Sequence, residues 1–231
     1  MRKTRALWFT LILTLSFAIP LVSAYIHENS METATYTVLI GTRSNPYTDQ
    51  YDIFDYTGRY LPNLPATYYV NPSGSKLETL SVIVAIKASF ETWDNATSIE
   101  LFNDNVQQTM LYGNRYDGKN VVSWGKLGQG ILAVCYTWYY KRSGAIVEFG
   151  IVFNTRYSWG IDPDGEGGTT INAYDVQNIG THEAGHTLCL GDLYMTAAKE
   201  LTMYGYSARG ETKKRSLGHG DVQGVKFVYG L

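Results

Sequence analysis

The hydrophobic positions of residues 77–93 recur at steps of three and four, which is the spacing of one face of an α-helix. The stripe consists of Leu80, Ile83, Ile86, Phe90 and Trp93. β-branched residues at positions 82–84 would also suit a strand, but the length of the segment and its single stripe favour a helix. We therefore predict a long helix from Leu77 to Trp93.

Shorter apolar runs, bounded by turn-forming residues, predict strands before and after this helix. One such run, residues 68–70, ends at Asn71-Pro72. Three more follow the helix, at residues 120–124, 131–140 and 145–154, with glycines in the turns between them. The middle of the chain is therefore predicted to be one long helix followed by a group of strands.

The N-terminal region divides into two parts. Residues 1–24 begin with basic side chains, continue with an apolar run and end in small residues, as a cleaved signal peptide does. The alternative is a retained membrane anchor, because the apolar run approaches the roughly 20 residues that span a bilayer. Residues 25–66 are polar and tyrosine-rich, and we expect a short extension with one or two strands, around Tyr36 to Ile40. It would pack on a main domain of residues 67–231, in a secreted or cell-surface-anchored protein.

Charge limits the range of partners. The chain has 19 Lys and Arg against 21 Asp and Glu, which argues against a nucleic-acid partner. Its one basic cluster, residues 213–215, is interpreted as a solvated loop. We expect a monomer.

Residues 181–192 read THEAGHTLCLGD and carry the clearest chemistry. His182 and His186 are four residues apart, so on a helix both imidazoles project from one face and can bind one metal ion. Glu183 lies beside the first ligand, where a carboxylate can take a proton from a water on the metal. Asp175 is a suitable N-cap for this helix.

A third ligand has to come from beyond the helix, because a catalytic zinc site has three protein ligands and an open position for water. Asp192 follows His186 by six residues. Gly191, just before it, allows a left-handed turn that would bring the carboxylate back to the metal. The predicted ligands are therefore His182, His186 and Asp192, with Glu183 as general base.

The chain from about Tyr68 to its C-terminal end resembles the matrixins, which belong to the metzincin clan of zinc metallopeptidases. The HExxH motif with its acidic third ligand matches one form of the metzincin pattern, and Leu201 to Tyr204 resembles the methionine turn. The matching residues near the end of the chain are Leu217, Asp221, Val222, Gly224, Val225, Tyr229 and Gly230. The resemblance implies an α+β, zincin-like fold: a twisted mixed sheet packed on the long helix and the active-site helix, with a closing C-terminal helix.

The same resemblance implies a function and further sites. It implies one catalytic zinc and a polypeptide substrate that lies along an edge strand at residues 131–140. Met203 would form an apolar floor under the ligands, and Tyr204 would help to wall a substrate pocket. No cysteine precedes the domain, so the thiol-based latency of matrixins is not expected.

Two positions depart from the matrixin pattern. Cys189 stands where the family has the glycine that reverses the chain, and Gly205 stands where it has proline. A residue with a Cβ in the left-handed region costs about 1 to 2 kcal/mol. Either Cys189 carries that strain or Gly191 takes over the turn.

Two further predictions concern a disulfide and a second cation. In a secreted chain with two cysteines, Cys135 and Cys189 are expected to form a disulfide, the alternative being two buried thiols. The acidic, glycine-rich segment from Asp162 to Glu166 is either a calcium site or a polar surface loop.

The implied reaction is hydrolysis of a peptide bond by a zinc-activated water. Tyr194, two residues after Asp192, is predicted to donate a hydrogen bond to the oxyanion, and Tyr206 is its rival. Two other classes remain open: a cell-surface binding protein that keeps the fold without turnover, and a secreted zinc hydrolase of a non-peptide bond. The intact Glu183 argues against the first.

Overall fold

The computed structural model describes residues 30–40, 53–163 and 171–230. The predicted signal segment, residues 1–24, lies outside them. Among the described residues, no helix combines the length and the apolar character needed to cross a membrane.

The described residues contain nine strands, of which seven form one mixed sheet. In chain order the strands are β1 (Met31–Ile40), β2 (Tyr69–Val70), β3 (Gln107–Gln108), β4 (Val121–Gly125), β5 (Ile131–Tyr140), β6 (Ile146–Asn154), β7 (Trp159–Gly160), β8 (Tyr174–Asp175) and β9 (Tyr206–Ser207). The sheet order is β3-β2-β4-β6-β5-β1-β9, and β7 pairs separately with β8. Strand β5 is antiparallel to both β6 and β1, while the other pairs are parallel. The predicted mixed sheet is confirmed.

Within the described residues, three α-helices accompany this sheet: α1 (Thr79–Asp94), α2 (Val176–Thr187) and α3 (His219–Tyr229). Helices α1 and α2 pack closely where Gly180 lacks a side chain: a Cβ there would lie only 2.4 Å from Ser89 Oγ. The buried Trp93 Nε1 donates a hydrogen bond to Thr181 O at 2.8 Å. The α+β class, the long helix and the closing helix are therefore as predicted, and α1 supports the helix that carries the HExxH motif.

Strand β1 corrects one prediction about the sheet. Residues 131–140 were expected to form an open edge, but β1 pairs antiparallel along β5, with Tyr36 opposite Cys135 and Thr37 opposite Val134. The predicted strand around Tyr36 is thus longer than expected. The edge prediction is wrong because the extension supplies its own strand and bonds the backbone groups that β5 would have left unpaired.

The predicted disulfide between Cys135 and Cys189 is also wrong. Both cysteines are free and buried. Each thiol lies against a carbonyl of its own segment, at 3.9 Å from Tyr136 O for Cys135 and 4.0 Å from Thr187 O for Cys189. Burial raises the pKa of Cys189 to about 12 and the pKa of Cys135 well above its ordinary value. The two side chains therefore fill core space as small hydrophobic groups.

Candidate metal centre

Helix α2 begins at a fixed point because its N-cap is tied to a distant part of the chain. Asp175 Oδ1 accepts a hydrogen bond from Asn178 N at 2.7 Å, as predicted for an N-cap. Arg215 holds the same carboxylate with two bonds, of 2.8 and 2.6 Å. This pair fixes the start of the helix and so the positions of the histidines about two and three turns later.

At the end of α2 the chain reverses, and Cys189, not Gly191, takes the left-handed position. Cys189 has a φ of +74°, and its N–H donates to His186 O at 3.0 Å, while Leu190 N donates to Gly185 O at 3.1 Å. These two bonds form a Schellman motif. Cys189 therefore carries the strain of the left-handed position.

Gly191 serves a different purpose from the one expected. It is not among the residues with positive φ. A Cβ at this position would lie 2.1 Å from Asp55 Oδ2, and Gly191 N donates to Asp55 O at 2.9 Å. Gly191 thus allows the segment around Asp55 to press against the turn that leads to Asp192.

The structure brings the three predicted ligands together. His182 Nε2 lies 3.2 Å from His186 Nε2. Asp192 Oδ1 lies 3.2 Å from His182 Nε2 and 3.6 Å from His186 Nε2. Ligand atoms at about 2.0 to 2.1 Å from a tetrahedral zinc are about 3.3 Å from one another. The observed separations match that spacing.

The hydrogen bonds of the imidazoles fix where their protons lie. His182 Nδ1 is 2.7 Å from Thr202 O, and His186 Nδ1 is 2.8 Å from Leu190 O. Because a carbonyl oxygen only accepts, each Nδ1 carries the proton and each Nε2 presents a lone pair. Two Nε2 atoms and a carboxylate oxygen with no hydrogen bond among the described residues therefore face one buried point. A cation satisfies all three, so these residues fit zinc.

The electrostatics of His182 and Asp192 agree with this donor set, whereas the raised pKa of His186 favours a proton that a bound cation would displace. Burial lowers the pKa of His182 to about 4, which keeps its imidazole neutral. Burial also acts to lower the pKa of His186, but the Asp192 carboxylate outweighs it and leaves that pKa raised. Burial acts to raise the pKa of Asp192, and the imidazoles overcome it and hold this pKa well below its usual range. An ionised carboxylate at this point is what a divalent cation requires.

Glu183 lies beside this group without belonging to it. Its side chain is fully buried, and neither carboxylate oxygen makes a hydrogen bond in the described parts of the chain. Burial raises the pKa of Glu183 to about 8, although His186 acts to lower it. The backbone N–H groups of Val38 and Cys135 approach this carboxylate and also lower its pKa, but neither meets the distance and angle of a hydrogen bond. Glu183 is therefore a buried carboxylate with free acceptor capacity.

Comparison with protein families shows which family has a sequence pattern that matches this chain. The matrixin model matches residues 60–230, which is most of the chain and includes every residue of the centre. The chain belongs to the matrixin family. Matrixins are zinc metallopeptidases, so membership supports that general class and a polypeptide substrate. A comparison with curated proteins found no match.

The methionine turn of this matrixin contacts His182, the first predicted zinc ligand. A Cβ on Gly185 would lie 2.3 Å from Met203 Sδ, so the methionine side chain packs directly under the HExxH helix. Thr202 O, in the same turn, is the acceptor for His182 Nδ1. The predicted apolar floor is present in geometry, and its influence on the metal stays a prediction.

The basic cluster at residues 213–215 was misinterpreted as a solvated loop. Lys214 is fully buried beneath the methionine turn, and its Nζ donates to Thr202 O at 3.1 Å and to Tyr204 O. Burial lowers the pKa of Lys214 to about 8. Arg215 is occupied by the N-cap Asp175. Two of the three cations thus support the centre, and no feature of the sequence indicates this role.

Tyr194 lies at the open side of the centre. It is 47% exposed, and partial burial, together with the nearby Asp192 carboxylate, raises the pKa of Tyr194 to about 12. A Cβ on Gly205 would lie 2.5 Å from Tyr194 Cε1. Glycine in place of the matrixin proline therefore gives this ring its space. Tyr206 lies next to it, with ring centroids 5.6 Å apart.

Two predicted features have less structural information. Tyr204 is buried and contacts Tyr206 at a ring distance of 5.6 Å, and its role as a pocket wall stays a prediction. Most of the possible calcium segment, from residue 164 onward, lies outside the described residues. Asp162 is described: it is buried, and its N–H donates to Asp175 Oδ2 at 3.2 Å. Calcium binding stays a prediction.

Proposed function

We propose that this matrixin is a secreted zinc-dependent metalloendopeptidase. His182, His186 and Asp192 would hold the zinc, and Glu183 would be the general base. The observation that carries the proposal is the set of three separations, 3.2, 3.2 and 3.6 Å, between the two imidazole Nε2 atoms and a carboxylate oxygen. The free carboxylate of Glu183 beside them supplies the second group that hydrolysis needs.

The chemistry divides between the metal and the protein. Bound zinc would lower the pKa of a water and polarise the scissile carbonyl. Glu183 would accept the proton of the attacking water and pass it to the leaving amine. Thr202 O and Leu190 O hold the two imidazoles in the tautomer that leaves Nε2 deprotonated. Tyr194 donates a hydrogen bond to the developing oxyanion.

The sheet favours a peptide over other substrates. Strand β5 accepts an extended chain segment on the side away from β6, because β1 pairs with it over almost its whole length. With β1 displaced, this edge would bind a peptide through its main chain. A hydrolase of a non-peptide bond would have no use for a ladder of backbone groups beside its metal ligands.

We expect metal removal to abolish hydrolysis reversibly. The purified full chain should contain one zinc, and a chelator such as 1,10-phenanthroline should remove both the zinc and the hydrolysis of casein. Stoichiometric zinc should restore activity, while magnesium should not, because two imidazoles suit zinc and not a hard cation. A chain that binds zinc and never hydrolyses a polypeptide, in any state of its N-terminal segment, would contradict the proposal.

Tyr194→Phe distinguishes two roles for the tyrosine hydroxyl. Loss of an oxyanion donor lowers kcat by about 10²- to 10³-fold in other hydrolases, and we expect a fall of at least tenfold with unchanged zinc affinity. If the hydroxyl only orients Asp192, zinc affinity should fall instead, with kcat of the zinc-loaded protein retained. Tyr206→Phe is the matched control, and a larger effect there would transfer the role to Tyr206.

A further inference from the structure

Strand β1 covers the candidate metal centre as well as the sheet edge. The Tyr36 ring stacks on the His186 ring, with centroids 4.7 Å apart and planes inclined by 18°. Two residues later, Val38 is fully buried and its backbone N–H approaches the Glu183 carboxylate. The backbone between these two residues therefore passes beside both a metal ligand and the general base.

Strand β1 pairs with a neighbouring strand on each side, as an extended peptide does when it binds in a cleft. It runs antiparallel to β5 on one side and parallel to β9 on the other, where Leu39 is opposite Tyr206. Leu39 N donates to Gly205 O at 2.9 Å. The strand thus uses the backbone groups of both walls, β5 and the segment after the methionine turn, that an incoming polypeptide would need.

Side chains outside β1 also hold the strand in place. Arg59 donates to the Tyr36 hydroxyl and, at 3.2 Å, to Tyr139. At the other end of β1, Glu32 accepts from the Tyr139 hydroxyl at 2.8 Å and pairs with Lys141 at 2.8 Å. The Lys141 pair is exposed and contributes little, so the aromatic stacking, the buried Val38 and the two backbone ladders determine how firmly β1 is held.

We propose that residues 31–40 are an intramolecular occupant of the polypeptide-binding cleft, which keeps this chain latent until the strand is displaced. The proposal rests on the proposed peptidase function. It needs no propeptide thiol, because the block consists of a strand in the substrate position. A segment tethered through a short connection has an effective concentration on the order of millimolar, so a free substrate at micromolar concentration is outcompeted.

The main test opens the connection between β1 and the rest of the chain. A recognition sequence for a specific protease is placed within residues 41–52 of the full chain, which is purified, loaded with zinc, cut and diluted. Two quantities are measured before and after the cut: hydrolysis of a quenched peptide, and the rate at which a chromogenic chelator removes zinc. We expect both to rise by at least tenfold. A synthetic peptide of residues 31–40, added in excess, should reverse both changes.

The two readouts separate the inference from the function on which it rests. Equal hydrolysis and equal zinc release before and after dilution would overturn the occupancy of the cleft while leaving the peptidase intact. Faster zinc release without hydrolysis in either state would support the occupancy and contradict the peptidase.

A pair of substitutions tests the same point without a cut. Val38→Glu places a charge at a fully buried position beside Glu183 and should release the strand, whereas Thr35→Glu adds the same charge at an exposed position of β1. We expect hydrolysis and zinc release to rise for the first variant only. The cut chain keeps the native sequence of β1, so it decides the matter if Val38→Glu fails to fold. Equal behaviour of two folded variants would count against the proposal.

Discussion

Replacing Glu183 by glutamine should reduce kcat/KM for a polypeptide by about 10²- to 10⁴-fold while leaving the zinc in place. The reason is that Glu183 is not one of the three converging ligands, yet it is the buried carboxylate beside them with acceptor capacity to spare. Glutamine keeps the size of the side chain and removes its ability to accept and return a proton. The loss should therefore appear in kcat, with zinc content unchanged.

The comparison needs a control for charge and for access to the site. Glu100→Gln removes the same charge at an exposed position and should leave both zinc content and kcat unchanged. All chains are assayed with the β1 connection opened, so that a covered cleft does not hide the difference. A Glu183→Gln chain that retains full activity would remove the general base from the mechanism, and one that loses zinc would make Glu183 a part of the ligand set.

The candidate ligands were predictable because their spacing is a local property. His182 and His186 share a helix face whatever the rest of the fold does, and the prediction needed only that a helix form there. The departure at Cys189 was predictable as a choice between two turns, and the structure resolves it in favour of a strained Cys189. The role of Gly191 was harder to predict, because it depends on close contact with Asp55, more than a hundred residues earlier in the chain.

The sheet was predictable only in part, because strand pairing is a long-range property. The apolar runs at β4, β5 and β6 marked the strands themselves, and their observed bounds differ from the predicted ones by one residue at most. The sequence of residues 31–40 does not indicate which strand they pair with. A polar extension that pairs with β5 competes there with solvent and substrate, and that competition is decided by the whole fold.

The buried position of Lys214 and the role of Arg215 were not predicted, for a similar reason. A run of basic residues such as 213–215 usually marks a solvated surface. Lys214 is buried because the methionine turn presents carbonyl oxygens that need a donor, and that need arises only once the turn has folded. The cysteine pair shows the same limit, since a disulfide depends on a separation that no spacing in the sequence reveals.

The largest loss of stability is expected from Asp221, a residue at the start of α3 that is 1% exposed. Its carboxylate accepts backbone hydrogen bonds from Thr202 at 2.8 Å, Met203 at 3.1 Å and Gly218 at 2.9 Å. Burial outweighs these donors and leaves the pKa of Asp221 raised. Asp221 thus joins the methionine turn to the closing helix.

Asp221→Ala should lower the free energy of unfolding by about 3 kcal/mol or more, because a buried donor without an acceptor costs about 1 to 3 kcal/mol. The measurement is urea denaturation of the zinc-free chain, which separates folding from metal binding. Asp117→Ala, at an exposed position, should change the unfolding free energy by less than about 0.5 kcal/mol.

Zinc affinity should fall together with stability in the Asp221→Ala chain. Thr202 donates to Asp221 through its N–H and fixes the His182 tautomer through its carbonyl, so a loosened turn releases the ligand as well. Asp221→Asn keeps one acceptor oxygen and should lie between the native chain and the alanine variant in both measurements. If alanine lowered stability and left zinc affinity unchanged, the methionine turn would support the fold without positioning His182.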